Sequence, residues 1–256
     1  MPKKPPAGQC ASRVTLAKSL AFRETGTDLA KYNYTSSCSL VRRDTAVPGA
    51  WGGARNRGDR ETIALADDKV DALLSAAVFA LATGRTFQRH WIVHYGKAGI
   101  AEHDAARFIG RLLHQLGKQA RRAGGELVAL WVRETASDLG GHVHILLHLP
   151  PDMVLRNRTR RWIVAAGGRY ETGVSRTKRI GGRLTNVKVA GTGDGIDGAH
   201  YRANAENVVR YLLKSADLEK GESLGLKYSG RGGRIVGKRC GWTQNIGWAA
   251  RKLAAL

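Results

Sequence analysis

The sequence lacks the features of disulfide-stabilised, zinc-ribbon and membrane-spanning proteins. Its three cysteines, Cys10, Cys38 and Cys240, lie far apart and form no CxxC pair, which disfavours both a disulfide framework and a zinc ribbon. The best apolar stretch, residues 70–83, carries Asp71 and falls short of the ~20 residues that cross a bilayer. No apolar segment follows the lysine- and proline-rich start, so no secretory signal is read and a cytoplasmic location is expected. Acidic residues are scarce: 21 Asp and Glu face 42 Lys and Arg, a formal charge of +21. Such a surface repels itself unless a polyanion neutralises it, and with no membrane segment the expected partner is nucleic acid.

At 256 residues the chain has material for one core with appendages. Residues 1–66 mix Pro, Gly, Ser, Thr and Arg without a sustained period and are read as a basic, loop-rich N-terminal extension. A core is expected over 67–218 and a basic C-terminal extension over 219–256. Within the core, Val70, Leu73, Leu74, Ala77, Phe79 and Leu81 predict a helix that Gly84 ends. A strand over 89–95 follows, then a helix over 102–122 on the spacing of Phe108, Leu112, Leu113 and Leu116. Strands over 126–134 and 142–149, joined by a loop with Asp138, Gly140 and Gly141, predict an antiparallel hairpin.

After Pro150 and Pro151 the chain turns strongly basic. Arg156, Arg158, Arg160, Arg161, Arg169, Arg176, Lys178, Arg179, Arg183 and Lys188 face Glu171 alone, a density that predicts phosphate contact. A strand over 184–190 and a helix over 203–218 are read next, then a tail rich in Gly, Lys and Arg.

The chemistry concentrates in two places. In His142-Val143-His144 the two-residue period of a strand puts both imidazoles on one face, with Val143, Ile145 and Leu147 held in the core on the other. Neutral imidazoles ligate divalent metals, and Glu134 on the preceding strand faces them as a third ligand. His148 shares their parity but lies ~20 Å along the strand from His142, too far for the same ion. On the later helix, Asn207, Tyr211 and Lys214 form one stripe while Val208, Leu212, Leu213 and Ala216 lie roughly opposite. A phenol loses its proton only near pH ~10, so Tyr211 becomes a nucleophile toward a phosphate that a metal polarises. Lys214, one turn on, is placed to balance developing charge. Taken singly, HxH is more often a pair of solvated strand histidines, and an exposed Tyr with a Lys is commoner still as plain surface.

In combination these residues resemble the HUH endonuclease superfamily, particularly single-tyrosine replication initiators of rolling-circle plasmids and viruses. His142-Val143-His144 matches the His-hydrophobic-His motif, Glu134 stands eight residues before it in the place of a third ligand, and Tyr211-Leu212-Leu213-Lys214 matches YxxK. The resemblance covers residues 89–218. Trp91-Ile92-Val93-His94-Tyr95 stands where the first motif is expected, with His94 and Tyr95 in place of its usual hydroxyl or acidic groups.

The resemblance implies an α+β core with a central antiparallel sheet flanked by helices, the metal on the sheet and the tyrosine on a following helix. It implies Mg²⁺ or Mn²⁺ as cofactor, single-stranded or hairpin DNA as substrate, and transesterification through a 5′-phosphotyrosine. One tyrosine rather than a YxxxY pair disfavours two successive cleavages from one helix. Gly237-Lys238-Arg239 lacks the spacing of a phosphate-binding GKS or GKT loop, so a host helicase and polymerase are the implied partners.

Three other readings remain: a single-tyrosine transposase of the same superfamily, a non-catalytic basic nucleic-acid binder, and, weakest, a two-histidine RNA phosphoesterase, whose His-x-Thr/Ser motifs are missing. For DNA contact, Arg156, Arg158, Arg160, Arg161, Arg176, Lys178, Arg179, Lys188 and Asn207 are the candidates, with residues 227–239 adding phosphate neutralisation. Trp131, Trp162 and Tyr201 are candidates for base stacking, with burial favoured for Trp131. The segment from Cys240 to Trp248 reads equally as a DNA-contacting turn or a packing strand.

Overall fold

The computed structural model describes residues 60–136, 140–153, 155, 158–180, 198–226, 230 and 232–254. Arg156, Arg183, Lys188, the expected strand over 184–190 and most of the N-terminal extension lie outside them. The described chain is a mixed structure built on a five-stranded antiparallel sheet. Its strands are β2 (Arg89–Val93), β3 (Val128–Ala136), β4 (Gly140–His148), β5 (Ser175–Arg179) and β7 (Cys240–Trp242). They are ordered β5-β2-β4-β3-β7. A separate two-stranded ribbon pairs β1 (Glu61–Thr62) with β6 (Ile235–Val236).

Alternation along the strands sends side chains to two cores. Trp91, Val93, Ala129, Trp131, Val143, Ile145 and Leu147 point to one, where they meet helix α2 (Ala105–Arg122) through Phe108, Ile109, Leu112 and Leu116. The short helix α3 (Thr159–Ala165) adds Trp162 and Ile163 to this layer. Val128, Leu130, Val132 and Leu146 point to the other face. There they meet helix α1 (Asp67–Ala82) through Val70, Leu73 and Ala77, and helix α4 (Gly198–Leu212) through Ala205, Val209 and Leu212. Each fully buried Val, Leu, Ile or Phe side chain among them contributes roughly 1.5–3 kcal/mol of burial free energy. Val143, Ile145 and Leu147 are inaccessible to solvent, as the strand period requires.

The hairpin of β3 and β4 forms as expected, with Glu134 directly opposite His142 and Val132 opposite His144. Its tight end depends on Gly141, where a β-carbon would stand 2.3 Å from the Tyr95 ring. Tyr95 donates to Glu102 Oε2 at 2.8 Å, and the wholly buried Arg133 reaches Glu102 Oε1 at 2.5 Å. Arg133 also donates to the carbonyls of Val236 and Lys238. Both terminal nitrogens of this buried cation are thereby engaged on the face of β3 opposite Glu134.

Several boundaries differ from the sequence reading. The helix expected over 203–218 ends at Leu212, tightens to a 3₁₀ turn over Leu213–Ser215, and gives way at the extended Ala216. The Ser215 carbonyl accepts from Leu65 N–H at 2.7 Å, and Asp217 caps a new helix, α5 (Leu218–Ser223). Apolar spacing cannot register such a break, because Leu213 and Ala216 remain buried on either side of it. Leu65 is buried, and β7 hydrogen-bonds along β3 as a full member of the sheet. The segment from Cys240 is therefore a packing strand at its start, followed by helix α6 (Trp248–Leu253). Arg239, expected among the phosphate contacts of the tail, is buried and donates to Thr62, Gly232 and Gly233.

Candidate metal centre

The face of the sheet beneath α4 carries an unusual run of polar groups. Because Glu134 opposes His142, and His144 opposes both Val132 and Ile92, all three share the side of the sheet that α1 and α4 cover. Glu134, His142 and His144 are 1%, 4% and 2% exposed, which separates them from solvated strand histidines. His142 Nε2 lies 3.5 Å and His144 Nε2 3.2 Å from the same carboxylate oxygen, Glu134 Oε2. One ligand atom from each residue falls within 4.8 Å of the other two, and this group could hold a metal ion.

The donor set fits a cation on two further grounds. Glu134 Oε1 and His144 Nε2 are buried without a hydrogen-bond partner, a costly state for polar atoms unless a further ligand satisfies them. His142 Nδ1–H donates to the Gly140 carbonyl at 3.0 Å, so in the neutral ring the lone pair lies on Nε2, the atom that faces Glu134. Burial alone would raise the Glu134 pKa, but the imidazoles of His142 and His144 and the Lys214 ammonium outweigh it and hold it at about 2. Burial lowers the His144 pKa further than Glu134 raises it. The cluster thus presents one anionic and one neutral donor at neutral pH, the protonation states that ligation needs.

Tyr211 and Lys214 arrive from a distant part of the chain. Tyr211, on the last turn of α4, is 43% exposed, and its ring stands edge-on to His144 with centroids 5.1 Å apart. Lys214 lies on the 3₁₀ turn, where side chains three residues apart eclipse. Its Nζ donates to Tyr211 Oη at 2.8 Å and sits 2.8 Å from Glu134 Oε2. Burial works against the ammonium, but Glu134 and Tyr211 together raise its pKa. One cation therefore joins the candidate ligand set to the phenol. Asn207, one turn before Tyr211, is exposed.

Compared with protein families, curated proteins and solved structures, this chain matches none. Any reading of its function therefore stands on the residues themselves.

The expected nucleic-acid contacts divide between the two sides of the sheet. Arg176 and Lys178 on the edge strand β5 are exposed and pair with Ile92 and His90, so they flank the face that carries the histidines. Arg179 pairs with Arg89 and belongs to the opposite face. Arg158, Arg160 and Arg161 are exposed on or beside α3, in the layer behind the sheet. Tyr201 is 5% exposed, Trp131 5% and Trp162 8%; all three pack in the cores, which removes them as base-stacking surfaces.

Two further histidines join the face: His90 on β2, and His94 just after it, which the sequence marked only as a departure from the first motif. His94 lies beside His142 with ring centroids 5.3 Å apart. His90, 5% exposed, places its Nε2 3.1 Å from His144 Nδ1. Burial, then the charges near it at His144, Lys178 and Lys214, push the His90 pKa down to about 3. The alternation of His90, Ile92 and His94 was the available signal, and it gains meaning only once the pairing of β2 with β4 is known.

Proposed function

We propose that this chain is a metal-dependent DNA-nicking and joining enzyme of the HUH type, with Tyr211 as its nucleophile. The observation that carries the reading is Lys214, whose Nζ contacts both Glu134 Oε2 and Tyr211 Oη at 2.8 Å. It links a three-donor group to an exposed phenol, although the two come from separate parts of the sequence. A solvated tyrosine or a structural histidine pair has no need of that link.

In this reading Glu134, His142 and His144 hold Mg²⁺ or Mn²⁺, which when bound withdraws charge from a phosphate oxygen. Tyr211 Oη forms a bond to phosphorus, the bond from phosphorus to the 3′ oxygen breaks, and a 5′-phosphotyrosine results. The phenol proton passes to solvent, because Lys214 as an ammonium is a donor, and the departing 3′ oxygen takes up a proton. Lys214 stabilises the phenolate as it develops. Attack by a 3′-hydroxyl on the phosphotyrosine reverses these steps and rejoins the strand. The exposed Arg176 and Lys178 beside the histidine face support a single-stranded or hairpin DNA substrate, held by its phosphates. Initiation of rolling-circle replication of a plasmid or phage, with a host helicase and polymerase acting in the cytoplasm, is the setting we assign. Among the described residues no helix is long and apolar enough to cross a membrane.

The test is incubation of end-labelled single-stranded DNA from the flanking locus with wild-type protein and Tyr211→Phe, with Mn²⁺ or EDTA, on denaturing gels. Cleavage that needs both Mn²⁺ and Tyr211 is the expected result. Tight binding with no cleavage across candidate origins and hairpins would make the chain a nucleic-acid binder instead.

A further inference from the structure

The two histidines of the candidate metal centre are held from behind by different groups. His142 Nδ1 meets the Gly140 carbonyl, which can only accept. His144 Nδ1 meets His90 Nε2 at 3.1 Å, with both rings buried. At that separation two ring nitrogens share one proton, and its location decides what His144 can do at its other nitrogen. If His90 Nε2 carries it, the neutral His144 has its proton on Nε2 and cannot ligate there. If His144 Nδ1 carries it, Nε2 presents a lone pair.

The surroundings of His144 Nε2 select between these arrangements. That nitrogen is buried and makes no hydrogen bond, although Glu134 Oε2 is 3.2 Å away. A proton there would meet Glu134 Oε2 only in poor alignment, whereas a lone pair there faces the space shared with Glu134 and His142, where a cation would engage all three. His90 is held in place by its strand: it pairs with Leu146 of β4 on one side and Lys178 of β5 on the other. Its ring also lies 6.2 Å from that of Tyr211.

We infer that His90 is a positioning residue for the metal centre: its Nε2 accepts from His144 Nδ1–H and so turns the His144 Nε2 lone pair toward Glu134 and His142. This rests on the reading of Glu134, His142 and His144 as metal ligands. The hydrogen bond from a ligating imidazole to an outer acceptor sets ring orientation and ligand basicity, and its loss weakens metal affinity by about 10–100-fold.

The test uses the full chain, with Mn²⁺ affinity measured by titration calorimetry for wild type, His90→Phe and His90→Gln, and thermal unfolding of each as the control for folding. Phe keeps ring volume without an acceptor, while Gln offers Oε1 near the position of the histidine Nε2. The expected result is Mn²⁺ binding weakened by about 10–100-fold in His90→Phe and restored to within about threefold of wild type in His90→Gln. A long-range ¹H–¹⁵N correlation of His144 in the Mg²⁺-loaded protein is expected to show the proton on Nδ1. Wild-type affinity in a folded His90→Phe would overturn the inference while leaving the metal centre intact. Equal loss in folded His90→Phe and His90→Gln, or a proton on His144 Nε2, would overturn it too. Failure of the wild type to bind Mn²⁺ or Mg²⁺ would instead remove the metal centre on which it rests.

Discussion

Lys214 Nζ and Glu134 Oε2 lie 2.8 Å apart, and that carboxylate oxygen is the one toward which both His142 Nε2 and His144 Nε2 converge. The ammonium therefore claims the atom a metal ion would claim. Cations at such separations repel by several kcal/mol in partly buried surroundings, roughly 4 kcal/mol for unit charges at an effective dielectric of 20. Replacing Lys214 with Met is expected to tighten Mn²⁺ binding by about tenfold, after discounting for solvent screening and for rotation of the lysine away from the site. Calorimetric titration reads this directly, and unchanged or weaker binding would show that the two cations do not compete. Strand cleavage should fall in the same variant, because the donor to Tyr211 Oη is lost.

Acid should destabilise the fold through its buried histidines before it touches Glu134. His90 is held down to about 3 and His144 is lowered as well, so below pH ~6.5 the unfolded chain binds protons that the folded chain refuses. Folded-state pKa values below the unfolded ones give stability that is present above the unfolded value and lost as pH falls toward the folded one. For His90 alone the loss between pH ~8 and ~5 is about 2 kcal/mol. Glu134 adds to the loss only at lower pH, where the unfolded carboxyl begins to protonate while the folded one, held at about 2, stays ionised. Urea unfolding of the metal-free protein as a function of pH checks the sign, and His90→Gln should flatten the dependence.

Cations on the two sides of the sheet should differ in what they do. Arg176 and Lys178 flank the histidine face, whereas Arg158, Arg160 and Arg161 lie in the layer behind. Replacing Arg176 and Lys178 with Gln is expected to raise KM for cleavage of a short single-stranded oligonucleotide by about tenfold, from two lost phosphate contacts. The triple Gln variant at the back should leave that KM within about twofold. Equal effects on KM would show that substrate does not pass along the histidine face.

Gly141→Ala should damage the hairpin from a position that carries no chemistry. The added β-carbon would stand 2.3 Å from the Tyr95 ring, and Tyr95 is fixed by Glu102 and by Arg133 over its face. A destabilisation of about 1–3 kcal/mol in urea unfolding is expected. Because Gly141 adjoins His142, weaker Mn²⁺ binding should accompany it. A variant as stable as wild type would mean that the ring moves aside freely.

Much of the site was legible because it is local. Alternation along residues 142–148 fixed which histidines share a face, and a hairpin with a short loop placed Glu134 opposite them. The amphipathic spacing around Tyr211 correctly marked Asn207 and Tyr211 as outward and Leu212 as inward. What periodicity could not convey was whether the helix carrying Tyr211 lies over the histidines, since that depends on packing between segments far apart in sequence. The contribution of His90 was hidden for the same reason, because its partner is set by strand register. The end of α4 was misplaced because burial continues through Leu213 and Ala216 while the backbone changes course. β7 stayed undecided between a DNA-contacting turn and a packing strand because three residues, Cys240–Trp242, are too few to show an alternating pattern.

The central claim is that Tyr211 attacks a DNA phosphate, and peptide mapping of the covalent product by mass spectrometry tests it most directly. Wild-type protein incubated with Mn²⁺ and a single-stranded oligonucleotide spanning the nick site should yield one modified peptide, with a nucleotide joined through its 5′-phosphate to Tyr211. Cleavage without any adduct, or an adduct on a different residue, would contradict the account.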